Sequence, residues 1–262
     1  MRVNFVKRTF RHLFSQNVIA PTDSLIDIGG TDTDAAMLRG VGFDRISVIN
    51  INKEALPEHG DAVNFIEGDI TETKLEPNAF DIAFTSDCLH HCSAPHAALL
   101  AMYRVARKAV IVIESRDNAL MRLAGRVGLA QIYELQKKNL EGKGGVDFTA
   151  VPNFVYRWTE SEFEKTIRSY DPTIQHEFFY RYEMSVPEGR LRKSRNPVVR
   201  SAGLAMRPMA KAMHMIVPRQ CNTFAMIAVK DPERCALWPW LERRGEEIVP
   251  AERYYAQRRF HN

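Results

Sequence analysis

At 262 residues, with 45% hydrophobic and 26% charged side chains, the chain can bury one large core as a soluble globular protein, and no segment reaches the length of a membrane span. Four scattered cysteines make no disulfide framework, and the basic, amphipathic start MRVNFVKRTFRHLF lacks the apolar run of a secretory signal, so a cytoplasmic protein is expected. The formal charge of +4 is uneven, because nine basic residues and no acidic one fall between Gly189 and Lys230 and leave the remainder net acidic; a general nucleic-acid surface is not implied.

A helical lead is expected over residues 1–23. Short apolar runs then alternate with helical patterns, the rhythm that builds a parallel sheet covered on both faces. Strands are predicted at Ser24 to Ile28, Arg45 to Asn50, Ala62 to Ile66, Phe80 to Thr85, Ala109 to Glu114, Ile174 to Tyr182 and Thr223 to Val229. Between the fourth and fifth, PHAALLAMYRVARK puts Leu99, Met102, Tyr103 and Ala106 on one helical face, a crossover helix packed on the sheet. EGKGG, from Glu141 to Gly145, reads as a flexible joint. Thr159 and Glu162 form a capping box, after which Trp158, Phe163, Ile167 and Tyr170 recur on one stripe of a second crossover helix.

Within this frame SLIDIGG is the most telling stretch. It sets an acidic residue, Asp27, and the pair Gly29–Gly30 at the end of a buried strand, where residues without a Cβ let the chain turn sharply and the backbone approach a ligand. The loop does not read GxGxxG, and Gly-Lys-Ser/Thr is missing, which disfavours a dinucleotide and excludes a P-loop. CLHHC, from Cys88 to Cys92, offers metal-ligand types but lacks a second, distant ligand pair, so no metal is expected.

The order of signals from about Ser24 to Val229 resembles the class I S-adenosylmethionine-dependent methyltransferases. LIDIGGTDTD stands at that family's acidic-x-Gly-x-Gly loop, ISVININ at the strand whose end holds the ribose, FIEGDI at the loop whose Asp contacts the adenine amine, and FDIAFTSDCLHHC at the "FDxVxxxxxLHH" stretch of the small-molecule branch; VYRWTESEFEKTI is similar to a late helix start. The resemblance implies a Rossmann-like α/β fold: a single domain with a seven-stranded, mostly parallel sheet, helices on both faces and a helical insertion between the last two strands. Residues 24–119 would be the cofactor half, 120–230 the substrate half with a basic insertion at 185–222, and 231–262 a tail packed on the body or on a second subunit. It also implies S-adenosyl-L-methionine as cofactor, held by Asp27, Gly29, Gly30, Thr31, Asn50, Ile51, Asp69, Ile70 and Ser86. The methyl acceptor would be a hydroxyl of a small molecule, such as a sugar or glycan precursor, with His90 and His91 as general base and Glu114 orienting or assisting them.

The chain departs from the family pattern at Thr31 and Thr33, where further glycines are usual, and at Asn50, where a carboxylate is usual. A noncatalytic binding protein on the same fold therefore remains an alternative. The insertion interleaves Val198, Val199, Leu204, Met206, Met209, Met213 and Ile216 with Arg and Lys, interrupted by Pro197, Pro208 and Pro218. It reads as a pocket lid, as a peripheral membrane contact through 190–219 serving a lipid-linked acceptor, or as an anionic-substrate site. Nucleic acid is not expected as a partner, because no Asn/Asp-Pro-Pro-aromatic signature follows the fourth strand; a homodimer is the remaining partner expectation.

Overall fold

A computed structural model describes residues 2–52, 63–185, 208 and 210–257. Its centre is a seven-stranded sheet: β1 (Leu25–Ile28), β2 (Ile46–Asn50), β3 (Val63–Glu67), β4 (Phe80–Ser86), β5 (Ala106–Ser115), β6 (Glu177–Glu183) and β7 (Thr223–Val229), in the order β3-β2-β1-β4-β5-β7-β6. The pairs β2–β3, β1–β2, β1–β4 and β4–β5 are parallel, and β7 runs antiparallel between β5 and β6. This is the expected Rossmann-like α/β fold. Strand order reverses beside β1, whose neighbours are β2 on one side and β4 on the other, so the crevice for a ligand opens at the carboxyl ends of β1 and β4.

The helices are α1 (Arg2–Ser15), α2 (Asp32–Arg39), α3 (Pro95–Val105), α4 (Ala119–Arg126), α5 (Glu160–Tyr170) and α6 (Glu252–Gln257), with residues 210–216 also helical. Strand alternation sorts the core into two layers. On one face Ile111 and Ile113 of β5 join Phe5, Phe10 and Leu13 of α1; on the other, Val110 and Val112 join Leu99 and Met102 of α3 and Phe163 and Ile167 of α5. The start that reads as basic and amphipathic is thus a docked helix. Thr159 caps α5 as predicted, its Oγ1 accepting from Glu162 N at 3.2 Å. The stripe departs from prediction at Tyr170, which is 47% exposed at the end of α5.

Ala106 does not extend α3. The helix stops at Val105 and Ala106 is already extended (φ −81°, ψ 142°), so the fifth strand starts earlier than its apolar run suggests, paired with Phe80 across a register shift in β4. The sixth strand starts later, at Glu177; Ile174 instead bridges to Leu237, and Gln175 N donates to Ala236 O at 2.8 Å, tying the tail to the body. The tail then makes a hairpin the sequence reading omits, β8 (Leu241–Arg244) and β9 (Glu247–Pro250).

Between β6 and β7 the chain departs at Ser185 and returns at Asn222. Ser185 N donates to Asn222 Oδ1 and Asn222 Nδ2 to Ser185 O, both at 2.8 Å, closing a neck at the carboxyl edge of the sheet. The basic residues Arg190, Arg192, Lys193, Arg195, Arg200 and Arg207 and the apolar Val198, Val199, Leu204, Met206 and Met209 lie outside the described residues. No helix among those described is long and apolar enough to cross a membrane, and all four cysteines are free thiols.

Candidate cofactor pocket and histidine cluster

The loop after β1 is shaped by two glycines. Gly29 has φ +72°, and a Cβ there would lie 2.2 Å from Cys88 Sγ; a Cβ on Gly30 would lie 2.3 Å from Asp27 Oδ2. The loops after β1 and β4 therefore press together with no room for a side chain at either position. Asn50, at the end of β2, fastens the same turn: its Nδ2 donates to Gly30 O at 2.9 Å and its Oδ1 accepts from Asn52 N at 2.8 Å. Thr31 N and Oγ1 both donate to Asp34 Oδ2, at 3.0 and 2.8 Å, and start α2.

Asp27 is 2% exposed, and its Oδ2 finds no hydrogen-bond partner among the described residues. Burial, with the charge of Asp34 adding to it, pushes its carboxyl well above the usual carboxylate range. Such a group under a glycine turn is either protonated or served by a polar ligand group.

Above this turn lies a cavity of about 350 Å³. Gly29, Asn50, Ile51 and Asn52 form one side; Gly68, Asp69 and Ile70 a second; Asp87, Cys88, His91 and Cys92 a third. The fourth wall is a loop, with Lys138, Gly144, Gly145, Asp147 and Phe148. Asp69 Oδ1 accepts from Thr71 N and Oγ1, both at 2.7 Å, a local turn that fixes the carboxylate. The loop is docked by Asp147, whose Oδ1 accepts from Ser93 N at 3.0 Å. Asp87, Asp147 and Phe148 all hold left-handed backbone, with φ of 56°, 47° and 59°, and such conformations concentrate where surrounding structure over-determines them, commonly at ligand sites. Cys88 is held neutral, its thiol pushed well up by its hydrogen bond with Cys92 and by burial.

At one corner of the cavity the two histidine rings pack against each other, centroids 4.5 Å apart and tilted by 36°. His90 is buried, its Nδ1 2.8 Å from Oε2 of the fully buried Glu114 at the end of β5. Glu114 Oε1 has no hydrogen-bond partner among the described residues. The Nε2 atoms of His90 and His91 lie 3.8 and 3.6 Å from the two carboxylate oxygens of Glu134. Burial, and secondarily the neighbouring His90, lower the pKa of His91 from its usual value, against the opposing pull of Glu134 and Glu114. The lowered pKa favours the neutral ring, and His91 lines the cavity, as a proton acceptor requires. Donor atoms of His90, His91 and Glu134 lie within 4.8 Å of one another. One distant carboxylate, not the second ligand pair that the CLHHC stretch lacks in sequence, is thus brought to the histidines by the fold, and the set is of a kind that could also hold a divalent ion.

The structure brings Gly29, Asn50, Ile51, Asp69, Ile70 and His91 into one cavity lining. Asp27 and Gly30 lie immediately beneath it. Thr31 serves the α2 start, and Ser86 stays in the strand, paired with Ile113 one residue short of the wall. His90 lines a smaller neighbouring cleft with Tyr133 and Asn153, and Glu114 sits behind it. Glu141 to Gly145 is no simple joint, since Gly144 and Gly145 are wall. The sequence reading missed Glu134, Lys138, Asp147 and Phe148. They occupy an aperiodic segment, and the signal that could have flagged them was its length, since a long loop within a compact fold is commonly functional.

Residues 26–113 match a family described as a methyltransferase domain. No curated protein matches the chain by sequence. Among solved structures, magnesium protoporphyrin IX methyltransferase (ChlM) from Synechocystis PCC 6803 with bound SAH is similar with a TM-score of 0.53 at 12% identity, covering 88% of this chain and 84% of that one. A SAM dependent methyltransferase from Archaeoglobus fulgidus gives a TM-score of 0.52 at 13% identity over 87% of this chain and 94% of that one. A chain of the complex between the Haloferax volcanii Trm112 methyltransferase activator and a candidate methyltransferase gives 0.51 at 13% identity over 88% and 93%. At such identities the likeness to these structures is one of fold.

Proposed function

We propose, from the match of residues 26–113 to a methyltransferase domain, that the protein is a class I, S-adenosylmethionine-dependent methyltransferase acting on a hydroxyl of a small molecule, of the sugar or glycan-precursor class. The observation that carries the proposal is that His91 lines the same cavity as Gly29, Asn50 and Asp69. A proton acceptor thus borders the place where the cofactor would lie.

The cavity fits S-adenosylmethionine by its own chemistry. Gly29 leaves backbone accessible where a Cβ would collide, the buried Asp27 Oδ2 has unused acceptor capacity, and Asn50 and Asp69 bring polar side chains to the lining. Gly29, Asn50, Ile51, Asp69 and Ile70 would hold the cofactor, with Asp27 beneath. When bound, the cofactor supplies an electrophilic methyl group on a sulfonium. His91 accepts the hydroxyl proton of the acceptor on its unprotonated ring nitrogen. Glu134, 3.6 Å from His91 Nε2, stabilises the imidazolium that results. Glu114 fixes the orientation of His90, whose ring in turn packs against that of His91. In-line transfer asks the protein chiefly to position two reactants, and the wall carrying Lys138, Asp147 and Phe148 does this by enclosing the cavity.

Titration calorimetry with S-adenosylmethionine and its demethylated product should show saturable binding, and a panel of hydroxylated acceptors should reveal turnover. Replacing His90 and His91 together by Ala should leave cofactor affinity nearly intact and lower turnover roughly a hundredfold. No heat and no thermal shift at millimolar cofactor would refute the reading. Binding without turnover on any hydroxyl, amine or carbon acceptor would leave the noncatalytic alternative.

A further inference from the structure

α4 is an eight-residue helix that buries none of its side chains. A helix so short does not persist in water on its own propensity, and its stability normally comes from packing an apolar face against something. Here Leu123 is 56% exposed, and the chain that follows continues in kind, with Leu129 83%, Leu135 76% and Leu140 92% exposed. Ile216, near the end of the helix at 210–216, is 77% exposed. Of the eighteen exposed large hydrophobic residues among those described, thirteen lie in 120–154 or 215–217.

The two stretches are neighbours. Asn118 Nδ2 donates to Cys221 O at 2.8 Å, Arg116 Nη1 donates to Arg219 O, and α4 packs beside the turn Pro218–Gln220. They share a charge bias as well. Residues 119–154 contain Arg122, Arg126, Lys137, Lys138 and Lys143 against three carboxylates, Glu134, Glu141 and Asp147, and residues 208–222 contain Lys211 and Arg219 against none. Glu134 is committed to the histidine pair. Leucines this exposed project from the surface and do not line a groove, which suits a fluid apolar phase better than a shaped protein partner, and long cationic side chains among them can carry their charge to a headgroup layer.

We propose that this face, α4 with the loop to 154 and residues 215–217, docks on an anionic lipid surface, the leucines entering the interface and the Lys and Arg residues meeting the headgroups. Lys138, Gly144, Gly145 and Phe148 belong to the same loop and to the cavity wall, so docking sets the rim of the cavity against the membrane. The contact is distinct from one made by the basic residues 190–207, and it does not depend on the acceptor.

Flotation of the full chain with vesicles of phosphatidylglycerol and phosphatidylcholine, and with phosphatidylcholine alone, tests it. Binding should occur on the anionic vesicles and fall at least about tenfold between roughly 0.1 and 0.5 M salt. Leu129→Asp with Leu140→Asp should abolish it while the thermal unfolding midpoint and far-ultraviolet circular dichroism stay at the parent's, which certifies the fold without recourse to the cofactor and keeps this outcome separate from any failure of the enzymatic reading. Absence of parent binding to both vesicle types overturns the proposal. So does binding that survives the leucine changes but is lost on replacing Arg190, Arg192, Lys193 and Arg195 by Ser, which would move the contact to the insertion. A concentration-dependent dimer in light scattering that the same leucine changes dissolve, without vesicle binding, would reassign the face to self-association.

Discussion

Gly29→Ala probes the turn on which the whole cavity rests. Two costs can be read from its geometry. A φ of +72° costs an L-residue about 1–2 kcal/mol. The new methyl carbon would also lie 2.2 Å from Cys88 Sγ, so the loop after β4 must retreat by more than 1 Å to restore ordinary contact, and overpacking of this kind costs about 1–3 kcal/mol. Together they predict a loss of about 2–5 kcal/mol, or roughly 4–20 °C in Tm for a chain of this length. Because Cys88 and His91 leave the same strand end, cofactor affinity should fall with stability. Urea unfolding and calorimetry on Gly29→Ala, Cys88→Ala and the double variant separate the two costs. Cys88→Ala removes Sγ and leaves its Cβ 3.0 Å from the new methyl, so the double variant should recover about 1–2 kcal/mol of the loss and leave the backbone strain, a non-additivity of the size typical for touching residues. A Gly29→Ala protein within about 0.5 kcal/mol of the parent, or strict additivity, would refute the argument.

Asn50→Asp, which restores the residue type usual at this place in the resembled family, should not tighten cofactor binding: the donor to Gly30 O is replaced by a carboxylate facing a carbonyl, and affinity measured by calorimetry should fall roughly tenfold. His176 accepts or donates at 2.7 Å with Tyr103 OH, and burial lowers its pKa from 6.5 to about 4. The neutral ring is favoured in the fold and the charged ring in the unfolded chain, so this group's stability is present above pH 6.5 and is lost as pH falls toward 4. Denaturation of the parent should weaken by about 1–3 kcal/mol across that window, and His176→Gln should flatten the decline.

What the sequence disclosed and what it withheld divide along a physical line. Thr223 to Val229 is buried along its whole length, and such a strand declares itself as an unbroken apolar run; the Gly pair and the Asn50 position are likewise legible because a turn with no room for Cβ admits few residue types. The His90–Glu114 bond joins the residue after a β4 loop to the end of β5, and parallel pairing of those strands makes it foreseeable. Glu134 is different. It reaches the histidines through Glu134 N donating to Asn153 O at 3.0 Å and the Tyr133–Phe154 bridge, contacts within an aperiodic loop that no spacing rule encodes. Ser86 stands one residue short of the cavity wall, because the strand runs one residue beyond its apolar stretch and the wall begins at Asp87 and Cys88.

The neck at Ser185 and Asn222 has a consequence for how such a protein can diversify. Glu183 and Thr223 are paired in adjacent antiparallel strands, so the ends of the intervening chain are already side by side when the sheet forms, and the two hydrogen bonds between the Ser185 backbone and the Asn222 side chain seal them. Residues 218–221 are not free to change, because Arg116 holds Arg219 O and Asn118 holds Cys221 O. The length that can vary lies between Ser185 and Pro218, and doubling it would add only about 0.6 kcal/mol of closure entropy. Foreign segments grafted there would leave the cofactor turn, on the other side of β4, under an unchanged steric regime.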